Sequence, residues 1–122
     1  MAMTYEQLKS MDTFTFITWL DETFVVSIPQ AIITTEDMEK AAKILLRLSS
    51  EFAYISQLLT WFKAATRDAK RNESKEEYED MVDKRDAVEG KLNAIKQSYA
   101  GVSRAVTIRT ENNMELRMAG TR

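Results

Sequence analysis

Two residue types are missing altogether: the chain contains no cysteine and no histidine. Thiol nucleophiles, disulfides, zinc fingers and histidine-based catalytic triads are thereby excluded. A chain without cysteine suits a reducing compartment, and a cytoplasmic location is expected. Proline occurs once, at Pro29, and glycine three times, at Gly90, Gly101 and Gly120, so long uninterrupted elements can form. There is no run of 18 apolar residues, which leaves no segment expected to cross a membrane. The first residues lack a basic start followed by an apolar stretch, so no signal peptide is expected. Nothing supplies a perturbed acid–base pair or a nucleophile with its base, so neither an enzyme nor a cofactor is expected.

What is present suits one folded, soluble domain. The 122 residues are 44% hydrophobic and 30% charged, a balance that argues against wholesale disorder. The net charge of −2 hides an asymmetry. Residues 1–60 carry 4 basic and 8 acidic side chains, whereas residues 61–122 carry 13 and 11. From Lys96 onward, five basic residues (Lys96, Arg104, Arg109, Arg117, Arg122) face two acidic ones (Glu111, Glu115). The second half leans mildly toward anionic partners, short of the strongly basic balance of a dedicated nucleic-acid domain.

Residues 1–34 read as an apolar cap. Thr4 with Gln7 forms a candidate capping box for a short helix. From Thr13 to Trp19 the chain alternates with period two, which suits a strand. Phe14, Ile17, Leu20 and Phe24 equally suit one helix face, and the pattern does not decide between them. Phe24 to Ile28 is β-rich and stops at Pro29.

The central signal is plainer. Thr35 is a candidate N-cap, and Glu36, Asp37 and Glu39 put negative charge at the positive end of a helix dipole. Met38, Ala41, Leu45, Leu48, Phe52, Ile55, Leu59, Phe62 and Ala69 fall at alternating steps of three and four, broken only by Thr66. This is a heptad seam of about five repeats, and it predicts a helix ending at Lys70-Arg71, roughly 55 Å long. Asn72-Glu73 reads as a turn, and Ser74 with Glu77 as a capping box. A second seam follows: Tyr78, Met81, Val88, Leu92, Ile95, Tyr99, Val102 and Val106, with Arg85 at the one missing position. Two long seams joined by so short a turn fold back antiparallel. The helix is expected to weaken near Gly101, the stretch from Ser103 to Thr110 to tolerate β structure or stay helical, and Asn112–Ala119 to form a final short helix.

The fold expected is therefore mainly α. A small N-terminal cap (1–34), with short strands an open alternative, precedes a long antiparallel two-helix coiled-coil hairpin (35–106). A C-terminal assembly segment (107–122) with a short helix follows, all within one domain. Ile44, Leu46, Tyr54, Leu58 and Trp61 lie off the seam. Each is worth about 1.5–3 kcal/mol when buried, so something should cover them. The candidates are residues 1–34 of the same chain and other subunits of a homo-oligomer, and the two are compatible.

Two charged constellations stand out. Lys63, Arg67, Lys70 and Arg71 recur at helical spacing and form a basic stripe beside the hairpin tip, suited either to tracking a phosphate backbone or to solvation at a helix C-terminus. The acidic group Glu73, Glu76, Glu77, Glu79, Asp80 and Asp83 lacks the glycine and ligand spacing of a calcium loop. It reads as a helix N-terminus with a supporting Asp80–Lys84 pair, and no metal is expected.

The C-terminal stretch Ser103-Arg104-Ala105-Val106-Thr107-Ile108-Arg109, running on through Glu115, Arg117, Ala119 and Gly120, resembles the C-terminus of the UvsY-type recombination mediators of T4-type phages. The leading segment Tyr5-Glu6-Gln7-Leu8-Lys9 and the order of two long helices, the first carrying Lys63 and Arg67, are similar as well. The resemblance covers most of the chain in layout and is specific over roughly its last 18 residues. It implies a ring-like homo-oligomer that binds single-stranded DNA and helps load a recombinase onto DNA covered by single-strand-binding protein, in the cytoplasm of an infected bacterial cell. It marks Lys63, Arg67 and Arg104 for DNA contact; Lys70 and Arg71 of the stripe and Arg109 of the basic C-terminal balance complete the candidate set. The alternatives are a small phage-encoded inhibitor or adaptor that docks a helical hairpin on a host or phage protein, and a structural assembly protein.

Overall fold

The computed structural model describes residues 3–25, 32 and 34–120, the side chains of 113–120 excepted. Four helices succeed one another among them: α1 (Tyr5–Ser10), α2 (Thr13–Thr23), α3 (Thr35–Arg71) and α4 (Lys75–Gly120). No strand occurs among the described residues, which corrects the strands considered for the cap; the β-rich stretch beyond Val25 and its stop at Pro29 lie outside them.

The cap is helical because its caps and its burial pattern both say so. Thr4 accepts from the Gln7 amide while the Gln7 side chain accepts from the Thr4 amide, the capping box read from the sequence. Asp12 then accepts from the Thr15 amide at 3.0 Å and starts α2. Phe16, Leu20 and Phe24, four residues apart, are buried, whereas Phe14 is 80% exposed. A strand would put Phe14 and Phe16 on one face, so the helical period has won. The buried face is also not the anticipated one, since Ile17 joins Phe14 outside.

α3 starts one residue earlier than the Thr35 cap implies. Thr34 and Asp37 exchange side-chain and backbone bonds of 3.1 and 3.0 Å. At its far end Glu73 adopts φ 56°, the left-handed conformation. The Ser74 amide reaches back to the Ala69 carbonyl and the Glu73 amide to that of Lys70, both at 3.3 Å, which is a Schellman ending. Asn72 and Glu73 thus form the expected turn, and α3 and α4 pack as an antiparallel hairpin.

α4 is one unbroken helix to Gly120, so the break near Gly101 and the separate C-terminal helix are not found. Val102 and Ser98 are buried on either side of Gly101, and such packing offsets a glycine's cost of about 1 kcal/mol. Thr107 and Thr110 bond their hydroxyls back to the carbonyls four residues earlier, at 3.1 and 3.0 Å, as helical threonines do.

One core unites the cap and the hairpin. Leu8, Phe16, Leu20 and Phe24 pack with Leu48, Ile55, Leu58 and Phe62 of α3 and with Met81, Val88, Leu92 and Ile95 of α4. Ring pairs reinforce it: Tyr5–Trp61 at 5.1 Å, Phe16–Phe62 at 5.3 Å and Phe24–Tyr54 at 5.7 Å between centroids. Two lysines of α4, one heptad apart, fasten the cap. Lys84, with no exposed surface, donates to the carbonyls of Lys9, at 2.9 Å, and Met11, and sits 3.1 Å from Asp80. Asp80 in turn accepts from the Thr13 hydroxyl. Lys91 donates to the Phe24 carbonyl at 3.0 Å and pairs with Asp21 at 3.2 Å.

Candidate nucleic-acid interface

The hairpin has two broad sides, and the described residues of the cap occupy one. At about 100° per residue, Trp61 lies nearly opposite Lys63 around the axis of α3. Tyr54, Leu58 and Trp61 face the cap. Ser49, Phe52, Thr60, Lys63 and Arg67 share the other side.

On that open side Lys63 and Arg67 of α3 meet Arg85 and Glu89 of α4 across a groove of about 440 Å³, floored by Thr60 and Thr66. Thr66, the polar interruption of the first seam, is buried and turns its hydroxyl to the Phe62 carbonyl at 2.7 Å, so it serves the helix rather than the groove. Lys63 and Arg67 are exposed and enter no ion pair among the described residues. Arg85 is half-buried and bonded through Nη2 to Asp86 at 3.1 Å. The sequence reading missed Arg85 as a site residue. Its signal was available: an arginine at a seam position must carry its guanidinium to the edge of the helix pair.

The other basic candidates are dispersed. Lys70 and Arg71 are exposed in the last turn of α3, one or two turns beyond the groove. Arg104 is exposed and Arg109 half-buried on α4. At about 1.5 Å per residue they lie roughly 28 and 36 Å along the helix from Arg85, on different sides of it. They do not join the groove.

The apolar candidates for a subunit interface mostly face inward. Leu58 is 0% exposed in the common core, and Ile44, Tyr54 and Trp61 pack against it, half-buried. The Tyr54 hydroxyl donates to the Met3 carbonyl at 3.1 Å, and that of Tyr5 to Trp61's at 3.4 Å. The cap of the same chain therefore covers Tyr54 and Trp61, while Leu58 and Ile44 pack within the core it shares with the hairpin. Leu46 alone stands out, 71% exposed.

Two seam residues depart from the core in the opposite sense. Phe52 is 37% and Tyr99 42% exposed. With Leu48, Ser49, Ile95 and Lys96 they line an apolar slot of about 250 Å³. Lys96 places its ammonium 5.7 Å from the centre of the Phe52 ring.

Among the described residues no group of three or more acidic side chains is placed to hold a metal ion, and Asp80 is engaged by Lys84 and Thr13. No helix among them is long and apolar enough to cross a membrane. No protein-family model matches the chain, and neither a curated protein nor a solved structure matches it significantly.

Proposed function

We propose that this chain is a non-enzymatic accessory protein of DNA recombination. It binds single-stranded DNA along its open side and, as a homo-oligomer, helps load a recombinase onto DNA covered by single-strand-binding protein. The observation that carries this reading is the convergence of Lys63, Arg67 and Arg85 in one groove on the side that the described residues of the cap leave bare. Lys63 and Arg67, held on a rigid helix and not engaged by carboxylates among the described residues, are suited to phosphate oxygens, and Arg85 joins them by exchanging Asp86 for a phosphate. The resemblance to the UvsY-type mediators supplies the recombinational context. One subunit offers a slope of only about −2 in the logarithm of affinity against the logarithm of salt, taking three phosphates at about −0.7 each. Repetition around an oligomer multiplies the contacts.

The test is fluorescence anisotropy with an end-labelled oligothymidine at two salt concentrations. Binding should weaken steeply with salt. Lys63→Glu with Arg67→Glu should abolish it while helicity and mass stay unchanged. Absence of binding at low salt by folded protein removes this reading. A protein-binding inhibitor or adaptor then takes its place, a reading favoured by the apolar ring that Phe14 of α2 leaves in solvent.

A further inference from the structure

We infer that the slot between Phe52 and Tyr99 is a base-stacking subsite, which takes unpaired nucleobases of the same strand whose phosphates lie along the basic groove. This rests on the function proposed above and deepens it by naming how bases, and not only backbone, are held.

Three observations lead there. The slot and the groove are on one side of the hairpin: Phe52 and Lys63 share a stripe of α3, eleven residues or about 16 Å apart. Both rings belong to the seam by spacing yet keep 37% and 42% of their surface in solvent, beside an opening of about 250 Å³. The wall is apolar except for Ser49 and Lys96; the Lys96 ammonium lies over the Phe52 ring, 5.7 Å from its centre, and a base that takes its place there frees the flexible lysine for the adjoining phosphate. An aromatic face accepts any base, so such a subsite adds affinity without sequence preference. A duplex keeps its bases stacked within the helix and cannot use it. The slot therefore selects single strands, which the groove alone does not.

The experiment compares an end-labelled oligothymidine with the same backbone carrying abasic sites throughout. Wild-type protein should bind the oligothymidine roughly 5- to 100-fold more tightly, the range expected for one stacked base. Phe52→Leu and Tyr99→Leu, which keep apolar volume in the slot, should each reduce that preference while leaving the salt slope unchanged. Phe52→Trp should preserve it. If both oligonucleotides bind alike and the leucine variants change nothing, while Lys63→Glu with Arg67→Glu still abolishes binding, the stacking subsite is wrong and the basic-groove function stands. If the leucine variants lower the mass in solution and the abasic strand binds as well as oligothymidine, the slot is a contact between copies, and the inference is overturned. If wild-type protein binds neither strand at low salt, inference and function fall together.

Discussion

The Lys84 ammonium lies 2.9 Å from the carbonyl oxygen of Lys9, at the end of α1. A wholly buried cation is costly unless its bonds are replaced, and here Met11, Asp80 and the Phe16 ring complete its surroundings. Its partners are the carbonyls at and just beyond the C-terminus of a helix, where the dipole is negative. The lysine thus ends α1 and fixes the corner between α1 and α2 to the hairpin.

Lys84→Ala should cost about 3–5 kcal/mol, because it strands two carbonyls, leaves Asp80 with Thr13 alone and empties a fully buried site. Lys84→Met, which keeps the stem, should cost less but still about 1–3 kcal/mol. Urea unfolding followed by circular dichroism measures both. Trp19 and Trp61 are half-buried where cap meets hairpin, so their fluorescence should report release of the cap at lower urea than loss of helix. Lys91→Ala, whose partner Asp21 is largely exposed, should cost only about 1 kcal/mol.

The hairpin was legible because its signals were redundant. Leu48, Ile55, Phe62, Val88 and Ile95 sit where spacing puts them, and the turn at Asn72-Glu73 has charges suited to both dipoles. The cap was not, because a run of eight apolar or threonine residues, Thr13 to Leu20, satisfies period two and period 3.6 alike, and only contact with Phe62 and Leu58 selects Phe16 over Phe14. The basic stripe was half legible. Lys63 and Arg67 follow from one helix, but the opposing Arg85 depends on register between two. Phe52 and Tyr99 read as core because periodicity reports direction and not depth, and the seam gapes between them.

The turn itself is improvable. Glu73 adopts a left-handed conformation that costs a side-chain-bearing residue about 1 kcal/mol or more, and it holds the position where helices favour glycine. Glu73→Gly should therefore raise stability by about 0.5–1 kcal/mol, after allowing for the looser unfolded chain. A thermal melt should show a midpoint a few degrees higher. A lower midpoint would mean that the Glu73 side chain contributes more than its backbone costs.

Glu51 makes stability depend on pH. Burial raises its carboxyl above the ordinary value of 4.5, against the opposing pull of Arg47 and Lys91, and its Oε2 is buried without a hydrogen-bond partner. The folded state then binds its proton more tightly than the unfolded chain does. Between the two pKa values folding takes up protons, so this residue's contribution falls as pH rises through that window. Glu51→Met removes both the titration and the orphaned oxygen. The variant should be more stable than wild type near neutrality, by up to about 1 kcal/mol, with the gap closing as pH falls toward about 4. Parallel urea midpoints across that range decide it, and a gap that is constant with pH would show that Glu51 does not titrate as its burial requires.

Leu58 and Leu46 separate burial within the chain from burial between chains. Leu58 is enclosed by the cap, so Leu58→Glu should cost several kcal/mol as an unpaired charge in the core, loosening the cap whether or not the protein oligomerises. Leu46, 71% exposed, has nothing to lose within one chain, and Leu46→Glu should change the stability of a monomer by no more than about 0.5 kcal/mol. If the proposed homo-oligomer uses this flank of α3, the same substitution should lower the mass measured by light scattering while helicity persists. It should also weaken binding of oligothymidine, because contacts repeated around the assembly are lost together. Leu46→Glu protein with unchanged mass would move the interface elsewhere on the surface. Wild-type protein that is monomeric at tens of micromolar would remove the oligomer from the proposed function altogether, leaving three cations in one groove to bind DNA alone.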